Sequence, residues 1–229
     1  MLPKDVPRVK GLDIAAFMRT ANEVGGDYYD FLVDECGVPM IAVGDATGHG
    51  LKAGNLVTAT KGLLNILATG GEVKNILDRA NRAIKQMDLH MLTICLAVVK
   101  IQGSKVRFTS AGMPPLIVYR GRTQECETRT LKALPLGAVQ DFPYAEDTFP
   151  ISPGDVVLIL TDGLLEIFDR QLNIDGLEHM MESLKRNADK SARELVSQMF
   201  EDGKAWGNDA PLADDLTIVV VKATEEISP

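Results

Sequence analysis

Residues 40–50 read MIAVGDATGHG, an apolar run that ends on an aspartate and gives way to glycines. Met40 to Val43 predicts a strand that delivers Asp45 to its end, and Gly44, Gly48 and Gly50 allow the backbone to turn sharply afterwards. The next stretch has helical spacing. Leu56, Ala59, Leu63, Ile66 and Leu67 place apolar residues along one face of a helix over Leu51 to Ala68, most simply a core face. A second helix over Glu72 to Asp88 continues the pattern after Gly70-Gly71. Asp45 thus projects from a rigid strand at the mouth of a glycine turn.

The same placement recurs along the chain. Asp27 lies in GGDYYD, Asp162 ends the buried-looking run DVVLILT and precedes Gly163, and Asp214 with Asp215 stands just before LTIVVV. One aspartate beside a glycine is an ordinary turn former. Four at strand ends, spread over most of the chain, could meet only through a folded sheet. Gathered carboxylates repel one another unless something strongly positive sits among them. A divalent metal cluster meets that need, and oxygen-only ligands suit Mg²⁺ or Mn²⁺ rather than zinc, which favours histidine and cysteine.

Composition sets bounds. With 229 residues, 45% hydrophobic and 24% charged, the chain fits one large domain or two small ones with a sizeable core. Runs such as Val156 to Leu160 and Ile218 to Val221 fall far short of the roughly 20 residues that span a bilayer, so no membrane insertion is expected. The N-terminus lacks an apolar signal core, and Cys36, Cys95 and Cys126 form an odd, unpaired set, which points to a reducing cytoplasm. A net charge of −8 without a basic run argues against nucleic acid.

The proline-punctuated residues 1–12 read as a linker, with a domain over 13–224 and a tail over 225–229. Such a linker predicts an upstream or separate regulatory or sensor domain. Strands are expected at 13–21, 27–34 and 39–46 as an early β-meander, then the two helices, then strands at 92–101, 105–110, 116–120 and 155–161. The stretch between the last two reads as a polar, irregular excursion with an exposed turn at 120–122. Helices at 176–186 and 192–204 and a strand at 215–222 complete an α+β chain.

Taken together, EVGGDYYDF (23–31), VGDATGHG (43–50), SAGMPPLIV (110–118), LPLG (134–137), TDGLLE (161–166) and DDLTIVVV (214–221) resemble the metal-dependent PPM-type protein serine/threonine phosphatases, specifically their bacterial SpoIIE/RsbU-like branch. The resemblance runs from about Leu2 to Lys222. It implies a four-layer α-β-β-α sandwich, two antiparallel sheets each covered by a helical pair, with the metal centre at one edge. By the same resemblance Asp45 bridges two Mn²⁺ or Mg²⁺ ions and the Ala46 carbonyl is a backbone ligand. Asp27 completes one metal's shell, and Asp162 and Asp214 belong to the other. Asp215 falls where many relatives have asparagine or a second aspartate, which leaves its role open.

The implied reaction is hydrolysis of phosphoserine or phosphothreonine by a water activated between two ions about 3.5–4 Å apart, without a phosphoenzyme. His49 is the nearest candidate for the general acid, with a metal-bound water as the alternative, because its spacing from Asp45 differs from that of the eukaryotic-type enzymes. Those enzymes also hold phosphate with an arginine where this chain has Glu23, and Met113 stands where the branch often has histidine. The resemblance further implies a phosphorylated STAS-domain, anti-anti-sigma-type substrate in a partner-switching pathway, and regulation through the helical pair over Leu51 to Asp88.

Other motifs carry less. GGDYYDF shares GGD with diguanylate cyclases, but 26 residues leave no room for their preceding nucleotide-binding half. DRQLNIDG (169–176) lacks the glycine and final glutamate of a calcium loop. His90 and His179 stand outside any ligand pattern. Two further functions stay open: a non-catalytic binding or sensing module with this fold, and a phosphohydrolase of small phosphomonoesters.

Overall fold

The computed structural model describes residues 2–3, 5–69, 72–89, 91–169, 176–208 and 210–225. The Gly70-Gly71 break, His90 and nearly all of the calcium-like loop lie outside them. Among these residues, ten strands form two five-stranded antiparallel sheets. One sheet carries β2 (Asp27–Val33), β3 (Pro39–Ala46), β4 (Ile94–Gln102), β5 (Lys105–Ala111) and β8 (Glu146–Pro150) in that order. The other runs β1 (Leu12–Arg19), β10 (Leu216–Ala223), β9 (Val156–Leu160), β6 (Leu116–Arg120) and β7 (Glu125–Arg129). Helices α1 (Leu51–Leu67) and α2 (Val73–Gln86) follow β3, and α3 (Asp162–Asp169), α4 (Gly176–Asn187) and α5 (Ala192–Trp206) follow β9.

Three apolar layers hold these four layers together. Ile41, Val43, Val99 and Phe108 of one sheet meet Val157, Ile159, Val219 and Val221 of the other. Alternate residues of the same strands face outward, where Met40, Ala42, Leu96 and Val98 pack on α1 and α2. Leu158, Leu160, Ile218 and Val220 pack on α3, α4 and α5. Strands covered on both faces cannot alternate apolar with polar residues, which is why β9 and β10 read as unbroken apolar runs. The expected α+β sandwich is therefore present, with α3 added to one helical layer.

The early meander is not formed. Only β2 and β3 make a hairpin, whereas β1 pairs along its whole length with β10, from Leu12↔Ala223 to Arg19↔Leu216. The connection through Gly25-Gly26 crosses from one sheet to the other, and the partner that β1 finds lies at the far end of the chain. The excursion before β9 is not irregular either: β7 pairs with β6 and β8 with β5. Both are edge strands rich in charge, and β7 is laced by Arg120–Glu127, Arg129–Glu127 and Lys185–Glu125 pairs. Polar edges protect a sheet against further pairing, and that polarity makes them look like loop. On α1 the buried face runs through Ala53, Leu56, Val57, Thr60, Leu64 and Leu67, while Ile66, placed in the expected stripe, is exposed. Lys61, beside this face, meets the buried Asp30 of β2 at 2.5 Å, where Tyr28 also donates to Asp30 at 3.1 Å.

Candidate metal centre

Sheet register assembles the first half of the site. Asp27 of β2 stands opposite Asp45 of β3, and Asp45 opposite Cys95 of β4, so the three side chains line up on one face with Cβ atoms about 5 Å apart. Beyond Asp45 the chain turns through Gly48 and Gly50, with φ of 83° and 78°, left-handed values that favour glycine. Ala46 N–H donates to the Gly26 carbonyl at 2.9 Å, and Gly50 N–H to the Val24 carbonyl at 3.0 Å. These bonds hold the turn against the β1–β2 link. A side chain at Gly26 would strike the Ala46 carbonyl and come within 3.0 Å of Asp45 Oδ1 and the Gly48 carbonyl. Three oxygens converge on that notch.

The second half comes from the other sheet. Asp162 opens α3 directly after β9, and Asp214 and Asp215 lead into β10. Asp27 is buried, and its Oδ2 accepts the hydroxyls of Thr161 at 2.9 Å and Thr217 at 2.6 Å. Asp215, also buried, accepts backbone N–H groups of Ala21 at 2.8 Å and Gly26 at 2.6 Å. Asp214 is exposed, as is His49, which among the described residues hydrogen-bonds to none of these carboxylates.

The electrostatics are those of an uncompensated anion cluster. Burial, above all, pushes the Asp27 carboxyl up to about 8, with Asp45 and Asp215 adding to it against the two threonine bonds. Burial followed by Asp162, Asp214, Asp215 and Glu166 pushes Asp45 up to about 7. Asp162 reaches solvent, yet enough protein surrounds it that burial and Asp214 raise its carboxyl, while N–H groups at the start of α3 pull the other way. Among the described residues no lysine, arginine or histidine forms an ion pair with any of these three.

Such a donor set fits divalent Mg²⁺ or Mn²⁺. Its oxygens are carboxylate and carbonyl, its charge is unneutralised, and it stands at the open edge between the sheets. Among the described residues no three acidic, histidine or cysteine side chains form a ready cage. Asp27 Oδ2 and both Asp215 oxygens are already committed to protein donors, so water and the Ala46 carbonyl would complete the shells, as suits a cation that keeps part of its hydration. Sequence reasoning did not single out Thr161, Thr217 or Cys95. The threonines sit inside the TDG and DDLT motifs, but Cys95 is revealed only by strand register.

These shifts give the metal-free protein a defined pH dependence. Asp27 and Asp45 bind their protons more tightly folded than unfolded, where a carboxyl titrates near 3.8. Between about pH 4 and pH 8 the folded state therefore holds more protons, and its stability falls as pH rises through that window. In EDTA the melting temperature is expected to be lower at pH 8 than at pH 5.5, and Mn²⁺ is expected to remove most of the difference. Scanning calorimetry checks this; a melting temperature that climbs with pH in EDTA would contradict it.

Three kinds of similarity bear on the chain. The model of the Stage II sporulation protein E (SpoIIE) family matches residues 37–224. The phosphoserine phosphatase RsbU of Bacillus subtilis (strain 168) is 27% identical over 225 residues, which are 97% of this chain and 66% of that protein's length. The structure of the PP2C phosphatase domain of SpoIIE from Bacillus subtilis, with a fragment of its regulatory domain, superposes with a TM-score of 0.79 at 22% identity, covering 95% of this chain and 64% of that one. RsbX in complex with magnesium superposes with a TM-score of 0.70 at 20% identity, covering 96% and 99%.

Proposed function

The chain belongs to the SpoIIE family of PP2C-type serine/threonine phosphatase domains, and on that premise we propose that it hydrolyses phosphoserine or phosphothreonine on a regulatory protein with the help of bound Mn²⁺ or Mg²⁺. The observation that carries this reading is that Asp45, opposite Asp27 across the β2–β3 pair, feels the like charge of Asp162 and Asp214 from the other sheet. Asp45, shared between the two halves, would hold both ions, with Asp27 and the Ala46 carbonyl completing one site and Asp162 and Asp214 the other. Bound there, two ions would lower the pKa of a water and offset charge on the phosphoryl oxygens.

The chain's own residues do the positioning. The Gly48–Gly50 turn leaves Asp45 half-exposed and the buried Ala46 carbonyl facing the Gly26 notch, the start of α3 carries Asp162, and Asp215 clamps the β1–β2 link that leads into Asp27. His49 lies exposed on the same turn, where a side chain able to give a proton to a departing serine oxygen could be reached by substrate. A magnesium complex of a structurally similar protein supports the choice of ion. The finer substrate reading, a phosphorylated STAS-domain protein in a partner-switching pathway, is supported by the similarity to RsbU. Regulation would act on α1 and α2, since α1 leaves the Asp45 turn directly. All three cysteines are free thiols, which supports a cytoplasmic setting, and among the described residues no helix is long and apolar enough to cross a membrane.

The test is phosphate release from a phosphoserine STAS protein in Mn²⁺, in EDTA, and beside a free phosphomonoester. Mn²⁺-dependent release that favours the phosphoprotein is expected. Tight Mn²⁺ binding without turnover of any phosphoprotein would instead support a binding module, and preference for the small ester a small-molecule phosphohydrolase.

A further inference from the structure

The two halves of the centre stand on different sheets, and most of what joins those sheets is apolar side-chain contact, which is non-directional. At the centre itself the contact becomes directional. Thr161 directly precedes Asp162, and Thr217 lies three residues beyond Asp214. Both are fully buried, and both donate their hydroxyls across the gap to the same oxygen, Asp27 Oδ2, at 2.9 and 2.6 Å. The arrangement is over-determined: Thr161 Oγ1 accepts the Thr217 N–H at 2.9 Å, and Thr161 N–H donates to the Thr217 carbonyl at 3.1 Å. With the Thr217 N–H on one side of its oxygen, the Thr161 hydroxyl proton turns to Asp27. Two donors on one carboxylate oxygen stop the group from rotating, while Oδ1 accepts no hydrogen bond from the described residues.

We propose that Thr161 and Thr217 are positioning residues that lock the Asp27 carboxylate of one sheet to the strand ends bearing Asp162 and Asp214 on the other, so that divalent-ion affinity depends on their hydroxyls. This rests on the reading of Asp27 as a metal ligand. Outer hydrogen-bond partners of ligating carboxylates commonly contribute ten- to a hundredfold in metal affinity.

Thr217 offers the cleaner test, because its hydroxyl donates only to Asp27, whereas losing the Thr161 hydroxyl would also strand a backbone N–H. Mn²⁺ affinity is measured by titration calorimetry, well below the melting temperature, on the full chain and on Thr217→Val, Thr217→Ser and Asp27→Asn. Thr217→Val is expected to bind Mn²⁺ about 10–100-fold more weakly, with Thr217→Ser restoring most of the loss. A purely structural threonine would shift the melting temperature in EDTA but leave the affinity of the folded protein unchanged, and a Thr217→Val affinity equal to that of the parent overturns the proposal. Should valine prevent folding, Thr217→Ala removes the same hydroxyl with less volume and is read the same way. Parent and Asp27→Asn proteins that bind Mn²⁺ equally would defeat the ligand reading itself, and this inference with it.

Discussion

Asparagine in place of Asp45 is expected to abolish Mn²⁺-dependent phosphate release, by about a thousandfold or more, while raising the melting temperature of the metal-free protein. Both effects have one cause. Asp45 stands opposite Asp27 in the sheet and feels Asp162, Asp214, Asp215 and Glu166, which, after burial itself, push its carboxyl up to about 7. In its proposed role of bridging ligand it would be the group whose loss disturbs both ions, and metal assistance is worth several kcal/mol of transition-state stabilisation, at about 1.4 kcal/mol per tenfold in rate. Without metal, the same carboxylate is a half-buried charge among like charges, and a neutral amide of equal size relieves that repulsion. Functional sites commonly give up stability in this way. Activity within tenfold of the parent would remove Asp45 from the metal centre. A lower melting temperature in EDTA would show that its role is to hold the turn rather than to hold an ion.

Much of this was legible because the relevant residues sit in short local motifs. Strand, turn and helix around Asp45 follow from the apolar run and the glycines, and β3 and β6 run as expected at 39–46 and 116–120. The features that escaped were non-local or polar. Pairing of β1 with β10 joins residues about 200 positions apart, and no local pattern distinguishes it from a meander with β2. The edge strand Glu125–Arg129 is written in charged residues because its free side faces water. The helix Asp162–Asp169 is too short to show a periodicity. At the centre the aspartates were visible one by one, but the division of labour between Asp214 and Asp215 depends on which backbone groups lie within reach, and that is set by the crossing of the β1–β2 link.

That division yields the second large effect. Asp214 and Asp215 are consecutive carboxylates in opposite surroundings. Asp214 is exposed and accepts a hydrogen bond from the Asp215 N–H at 2.7 Å. Asp215 is 4% exposed, and its two oxygens are taken by the N–H groups of Ala21 and Gly26. It presses so closely on the link that a side chain at Gly25 would collide with its carboxylate. Asp215→Ala would strand the buried Gly26 N–H and the half-buried Ala21 N–H, at roughly 1–3 kcal/mol each. For a chain of this length that lowers the melting temperature by on the order of 10 °C, with and without Mn²⁺. Asp214→Ala removes an exposed carboxylate from the anion cluster but also the acceptor of the Asp215 N–H, two opposed effects that should leave the metal-free melting temperature little changed, while the stabilisation conferred by Mn²⁺ shrinks. Thermal melts of the two variants across a Mn²⁺ series separate the roles. If Asp215→Ala instead kept its stability and lost the Mn²⁺ response, the ligand would be Asp215, and its bonds to the Ala21 and Gly26 N–H groups would have to give way when an ion binds.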